Sequence, residues 1–301
     1  MNSRILLIIF IIGFKVFAIP TDPNRRPGSY PFICGDTFRK FCDHIVDETS
    51  VVFNPINVQQ GETIFLCANY LEKFFSEYHH RISVSYILVT HNSDVSVPGK
   101  FAHYLDDSKI FAWFGQNTDC IHAKLYPIPI GIANAHWSHG DVAPLKRAIS
   151  QMVPLKNKKN KDLIYVNFNI NNNKRVRQPI WDDLFKQSFA YCVAKPRAHQ
   201  EYLEEMEQYC FVASPRGNGI DCHRTWEALL LGCVAVVDKT TISAVYEGLP
   251  VIEVEDWNLV SAQFLKEKYS ELLCQPLQLD KLYADYWFEK IRLHQKLCKG
   301  V

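Results

Sequence analysis

From residue 163 onward, short apolar runs alternate with amphipathic stretches. Residues 163–168 have the length and composition of a buried strand, and 179–186 show a helical period. The pattern repeats with a strand at 189–193 and a helix at 199–208. Apolar runs at 211–213 and 233–237 follow, with a further strand at 251–254. Strands alternating with helices predict a parallel sheet covered on both faces. The first half is less regular. It predicts strands over 63–67, 84–90, 109–114 and 125–132, and a helix over 142–152. A helix over 69–78 places Tyr70, Leu71, Phe74 and Phe75 on one side. Residues 19–60 carry turn formers with little periodicity and read as an irregular leader stapled by cysteine. The basic, Asn-containing loop 156–161 marks a domain boundary, and helices at 259–273 and 280–297 close the chain.

Open parallel sheets bind ligands beyond the C-terminal ends of their strands. That rule puts the polar loops 169–175, 214–220 and 238–241 on one rim. Within the segment 211–237, Pro215, Gly217 and Gly219 break regular structure, Asp221 reads as an N-cap and Gly232 as the C′ residue of the helix between them. The first-turn N–H groups and dipole of such a helix attract anions. His223 and Arg224 lie in its first turn, and Glu227 follows at four and three residues, so all three can share one face. Arg216 reaches the same site from the loop. A guanidinium binds phosphate oxygens as a planar fork, and the carboxylate suits ribose hydroxyls. The plainer alternative has Asp221 and Arg224 capping and pairing locally, with Glu227 solvated. Basic groups at a helix N-terminus oppose the dipole, which favours the ligand reading.

The same segment resembles the donor-binding domain of GT-B glycosyltransferases of the exostosin-like family. The resemblance is carried by Ser214-Pro215-Arg216-Gly217, by His223-Arg224-Thr225-Trp226-Glu227-Ala228-Leu229 and by Gly232-Cys233-Val234-Ala235-Val236-Val237. Supporting stretches are Trp113-Phe114-Gly115-Gln116-Asn117, residues 127–134 and residues 165–170, so the likeness spans about positions 60–260. It implies an α/β fold of GT-B type, with two Rossmann-like domains whose parallel sheets face a cleft. The implied division is a targeting segment at 1–18, an acceptor-side domain at 19–157, a nucleotide-sugar domain at 158–275, and a C-terminal helix at 276–301 packing back on the first domain. It also implies transfer of a sugar from a UDP- or GDP-sugar to a glycan or glycoconjugate acceptor, with inversion. Arg216 and Arg224 would contact the diphosphate and Glu227 the ribose, with Ser214, Asn218 and His223 completing the donor set. Asn169 and Arg175 are candidates for phosphate or sugar contacts. Inversion needs one general base. The candidate is Asp94, in the polar loop after the strand at 84–90, with His91 and Asp141 as rivals; a plain turn role for Asp94 is the competing reading. His91, Asn117 and His139 are acceptor-side candidates.

Composition narrows the alternatives. The chain has 301 residues, 48% of them hydrophobic and 22% charged, with a formal net charge of +1. That is an ordered globular protein without the basic stripe that nucleic-acid binding requires. Arg4, the apolar run 5–14 and Val16-Phe17-Ala18 fit a cleaved signal peptide, with a signal anchor as runner-up; a membrane is a partner only in the second case. The expected location is the secretory pathway, in the ER or Golgi lumen or outside the cell. Ten cysteines, all beyond residue 18, favour disulfides there, with Cys34–Cys42, Cys192–Cys210 and Cys274–Cys298 as candidate pairs. No Walker loop, no Gly-X-Ser-X-Gly elbow and no complete dinucleotide fingerprint occurs. Cys222 beside His223 faces a different side of a helix and makes a poor nucleophile pair. His79, His80, His122, His136 and His139 lack well-spaced acidic partners for a metal. The Asp-X-Asp motif of GT-A transferases is missing, which points to a metal-independent mechanism with no cofactor beyond the sugar nucleotide. The alternative function is a non-catalytic carbohydrate- or nucleotide-binding protein that keeps the fold.

Overall fold

The computed structural model describes residues 26–49 and 53–300. The expected targeting segment, 1–18, lies outside them. Among the described residues no helix is long and apolar enough to cross a membrane.

In chain order the elements are α1 (Gly35–Phe41), β1 (His44–Val46), β2 (Thr63–Cys67), α2 (Leu71–Lys73), β3 (Tyr86–His91), β4 (Ile110–Gly115), β5 (Leu125–Pro127) and α3 (Val142–Gln151). There follow β6 (Asn160–Val166), α4 (Lys174–Leu184), β7 (Ala190–Cys192), α5 (His199–Glu207), β8 (Tyr209–Ala213), α6 (His223–Leu230), β9 (Val234–Asp238), α7 (Ser243–Tyr246), β10 (Val251–Val254), α8 (Ala262–Leu273) and α9 (Ala284–Lys299). They form two five-stranded sheets, in the orders β1-β2-β3-β4-β5 and β10-β9-β8-β6-β7. Every neighbouring pair is parallel. The expected α/β architecture of two parallel sheets is therefore what the chain adopts. β2, β3 and β8 are buried along their whole length, as strands covered on both faces must be.

One apolar cluster runs from Phe65 and Val89 of the first sheet to Val212 and Ala235 of the second, through Trp226 of α6 and Trp287 of α9. α9 lies on the first sheet: Phe288 stacks on Phe41 of α1 with ring centroids 4.1 Å apart, and His294 meets the Phe114 ring edge-on at 5.1 Å. Polar contacts also join the halves. Asn117 Oδ1 accepts from Ile220 N at 2.9 Å and Asp221 N at 3.1 Å, and Thr241 Oγ1 donates to the carbonyl of Thr118.

The supposed irregular leader is corrected: it contains α1 and β1. The turn formers Gly35, Asp36 and Thr37 open a real helix, which buries Phe38 and pairs the fully buried Arg39 with Asp47 at 2.7 Å. The strand expected over 125–132 stops at Pro127, because Pro127 and Pro129 have no N–H for a ladder. The helix expected over 69–78 is continuous but changes type, from a 3-10 turn (Ala68–Tyr70) through α2 to a π-turn (Phe74–Tyr78).

All ten cysteines are free thiols, so the disulfide expectation is corrected as well. Cys34 and Cys42 flank α1 at opposite ends, about 12 Å apart at helical rise, too far for a bridge. Cys192 is on β7 and Cys210 on β8, with β6 between them, which separates them by about 9–10 Å or more. Cys274 is exposed after α8, whereas Cys298 is buried with its thiol on the carbonyl of Ser85.

Candidate active site

Two connected clefts open beyond the C-terminal ends of the two sheets. One, of about 1030 Å³, lies over the second sheet against α4, α5 and α6. The other, of about 1180 Å³, lies over β2, β3 and β4 of the first. Ligand pockets commonly run to about 300–1,000 Å³, so each has room for a substantial substrate. Asp94, Ile130, His139, Asn172 and His223 line both and mark where they join.

The second-sheet cleft is built on the loop after β8. The backbone there must approach the first domain closely. A Cβ at Gly219 would stand 2.7 Å from Asn117 Nδ2, which explains the glycine. Asp221 does not cap α6, as the sequence reading supposed; Cys222 occupies the cap position. The Asp221 carboxylate is buried and accepts four bonds: from Ile130 N, Cys222 N and Trp226 Nε1 at 2.8 Å each, and from Tyr246 OH at 2.9 Å. It pins the first domain to the start of α6. Burial raises its pKa despite those donors.

Arg224 lines this cleft, and its buried Nε and Nη1 have no hydrogen-bond partner. Its guanidinium carbon lies 5.8 Å from the Phe168 ring centroid. A second guanidinium, which the sequence reading missed, lies 5.5 Å from the same ring: Arg177. Only 3% exposed, Arg177 donates to the carbonyls of Arg216 (3.0 Å), Asn169 (2.8 Å) and Pro215 (2.9 Å). It ties the two rim loops together and brings a positive charge that is in no salt bridge among the described residues. Burial lowers its pKa, the nearby Cys222 thiol opposes that, and the Arg224 charge adds to it. The cleft walls carry Lys174, Arg177, Lys195, Arg197 and Arg224 against Asp94, Asp221 and Glu227, an excess of cation.

Glu227 is 5% exposed and lines the cleft. Its oxygens receive His199 Nε2 at 3.2 Å and Tyr202 OH at 3.0 Å. Burial pushes its pKa up, but the His199 bond and charge, with His223 and Tyr202, outweigh this and hold it below the usual carboxylate range. Each oxygen retains a further lone pair for a ligand hydroxyl. His223 Nδ1 is 2.7 Å from the carbonyl of Gly131, which fixes its ring between the clefts. His139 stands 6.3 Å from His223 and 6.4 Å from His199, and burial lowers its pKa. Asn169 and Asn218 line the cleft too.

Other expected site residues are placed elsewhere. Arg175 and Arg216 do not line either cleft. α4 starts at Lys174 rather than at 179, so Arg175 and Arg177 point about 200° apart and Arg177 takes the inward side. Arg216 gives its backbone N–H to Asp238 at 2.6 Å. Ser214 is buried, with its hydroxyl 2.8 Å from that of Thr225. Asn117, expected on the acceptor side, is fully buried and holds the domains together. Asp141 caps α3 through Ala143 N at 2.9 Å and is outside both clefts.

His91 lines the first-sheet cleft but both ring nitrogens are spent: Nδ1 accepts from Asn92 N at 2.7 Å and Nε2 donates to the carbonyl of Pro129 at 3.0 Å. It has no nitrogen left to act as a base. Burial, the largest influence, lowers its pKa to about 4. The unfolded chain binds this proton near pH 6.5 and the folded one only near 4. Stability from a neutral His91 is therefore complete above pH 6.5 and falls toward pH 4, by about 1.4 kcal/mol per pH unit. Urea unfolding at pH 7 and pH 5 measures this. A His91→Gln protein should show the shallower loss; an equal or steeper loss in the variant contradicts the assignment.

Asp94 follows β3 through Asn92, whose φ of 57° turns the chain. It is exposed at the junction of the clefts, and its carboxylate has no hydrogen bond or ion pair among the described residues. Among the described residues no group of three or more His, Cys, Asp or Glu stands ready to hold a metal ion.

No protein-family model matches the chain. No curated protein matches it either. Among solved structures it is similar to the alpha,alpha-trehalose 6-phosphate synthase of Burkholderia multivorans, with a TM-score of 0.36, 9% identity, and 81% of this chain and 68% of that one covered.

Proposed function

We propose that the protein is a glycosyltransferase that uses a nucleoside-diphosphate sugar, with the donor over the second sheet and the acceptor over the first. The observation that carries this reading is the pair Arg177 and Arg224. Two guanidiniums flank one ring, neither in a salt bridge among the described residues, and Arg224 keeps two buried nitrogens unpartnered. Buried charge of one sign without a partner is costly, and an anion relieves that cost. Their place beside the first turn of α6 favours a diphosphate. Glu227, with a free lone pair on each oxygen, suits the ribose. Arg175 and Arg216 do not line the cleft, although Arg216 also keeps a buried Nε without a hydrogen-bond partner; Arg177 joins the donor set as the residue that shapes the loops and supplies charge.

Asp94 is the general base of this proposal. Its carboxylate takes the proton of an acceptor hydroxyl; that oxygen bonds to the anomeric carbon as the bond from that carbon to the diphosphate oxygen breaks. The leaving diphosphate keeps the electron pair, and its charge is met by Arg224 and Arg177. Attack from the face opposite the leaving group inverts the anomeric centre. The likeness of 211–237 to exostosin-like transferases adds to the reading.

Purified protein incubated with labelled UDP- and GDP-sugars and a mixed acceptor panel should release nucleoside diphosphate and form glycoside. Asp94→Asn should cut transfer by about 10²-fold or more and leave nucleotide binding unchanged. Substantial turnover in that variant removes Asp94 as the base. Nucleotide binding with no turnover across the panel supports the non-catalytic alternative.

A further inference from the structure

The cleft over the first sheet carries more than space. Gln116, immediately after β4, lines it and is 3% exposed, yet its Oε1 is buried with no hydrogen-bond partner. An unpaired buried amide oxygen is uncommon in a folded protein and needs an explanation. A large aromatic surface lies open in the same cleft: Trp137 is 57% exposed. His139 flanks it with ring centroids 6.4 Å apart in a stacked arrangement, and the His136 ring is 5.2 Å away. An open aromatic face and an unsatisfied polar group in one cleft suit a sugar ring, because the ring has an apolar C–H face and a rim of hydroxyls.

The charges narrow the ligand further. The arginine and the carboxylates in this cleft are Arg26, Glu48 and Asp94. The Arg26 guanidinium is already committed, at 2.7 Å to Asp36 and also to Glu48. Asp94 makes no ion pair among the described residues. Among the described residues lining this cleft no Lys or Arg is left uncommitted for an acidic group; of its histidines, His136 stands 3.3 Å from Asp36 and burial lowers the pKa of His139. A carboxylate, sulfate or phosphate on the acceptor would face Asp94 uncompensated.

From these observations we infer that the acceptor is an uncharged sugar ring, stacked on Trp137, hydrogen-bonded by Gln116 and presenting its reactive hydroxyl toward Asp94. The inference rests on the transferase reading only for the direction of that hydroxyl; the subsite stands on its own residues. Gln116 is a specificity-determining contact, and its amide can accept from or donate to a hydroxyl according to its rotation.

Saturation-transfer NMR and calorimetry with lactose, cellobiose and their uronate counterparts, each with and without UDP, test this. Neutral disaccharides should bind about tenfold or more tightly than the uronates. Trp137→Ala should lose about tenfold in disaccharide affinity. Gln116→Leu should lose about fivefold while keeping its melting temperature, since removing an unpaired buried polar group costs the fold nothing. Tighter binding of the uronates, or unchanged disaccharide affinity in both variants, overturns the inference. Failure of UDP, and of GDP titrated in parallel, to bind while the disaccharides behave as stated would count against the donor reading and leave the acceptor subsite intact.

Discussion

Asp221→Ala lowers the stability of the folded protein by about 3–5 kcal/mol, the largest single-residue effect expected outside the apolar core. The carboxylate is buried and is the acceptor for Ile130 N, Cys222 N, Trp226 Nε1 and Tyr246 OH. Removing it strands four donors at once, each worth roughly 1–3 kcal/mol if no water replaces the lost oxygen. Two belong to backbone on either side of the domain junction, so the loss also loosens the cleft. Urea unfolding reads the stability, and a drop under about 1 kcal/mol would mean that water substitutes for the carboxylate. Asp221→Asn keeps the shape but turns an amino group toward two donors, and should fall between the two proteins.

Arg224→Ala should behave in the opposite way. Its Nε and Nη1 have no partner to lose, so stability should stay within about 1 kcal/mol of the parent. Nucleoside-diphosphate affinity should fall by about 2–3 kcal/mol, or roughly 30- to 150-fold, because the bond to a phosphate is charge-assisted and partly desolvated. Calorimetric titration with UDP and GDP measures it. Unchanged affinity in a folded Arg224→Ala protein would move the diphosphate elsewhere. Arg177→Ala is not an equivalent test, because that side chain also holds three carbonyls of the rim loops.

The second half of the molecule was largely legible in the sequence, because each buried strand there is a short apolar run and each helix shows its own period. Gly232 illustrates how local rules suffice: its φ of 66° after α6 is what a C′ glycine supplies. The failures have physical causes of their own. Pro179 looks like the first residue of a helix, but it sits inside α4, which Asn173 caps through Val176 N at 3.4 Å. With the helix begun there, Arg177, Ile180 and Leu184 fall on one buried face. An arginine on an apolar stripe was the signal that the misplaced boundary concealed. Asp221 looked like a cap because acidic residues before helices commonly are; only the tertiary structure brings Ile130 and Tyr246 to it.

Gln116 and Asn117 show the limit most clearly. They are adjacent amides after one strand, and nothing in their order says which lines the cleft. The choice is made by Asn117, whose φ of 56° turns its side chain under the second domain, where Ile220 and Asp221 donate to it. α1 was missed for a related reason. A seven-residue helix opening on turn formers has too little period to read, and it holds because Phe38 and Phe41 pack on the distant Phe288 and Arg39 pairs with Asp47 just beyond the helix.

The cation-rich cleft over the second sheet is proposed to take a nucleoside diphosphate. Titration of the intact protein with UDP, GDP, uridine and guanosine tests it most directly. At least one diphosphate should bind saturably, with its parent nucleoside weaker by about 100-fold or more, since most of the attraction is to the diphosphate charge. Equal binding of nucleoside and diphosphate, or binding of neither diphosphate, would contradict it.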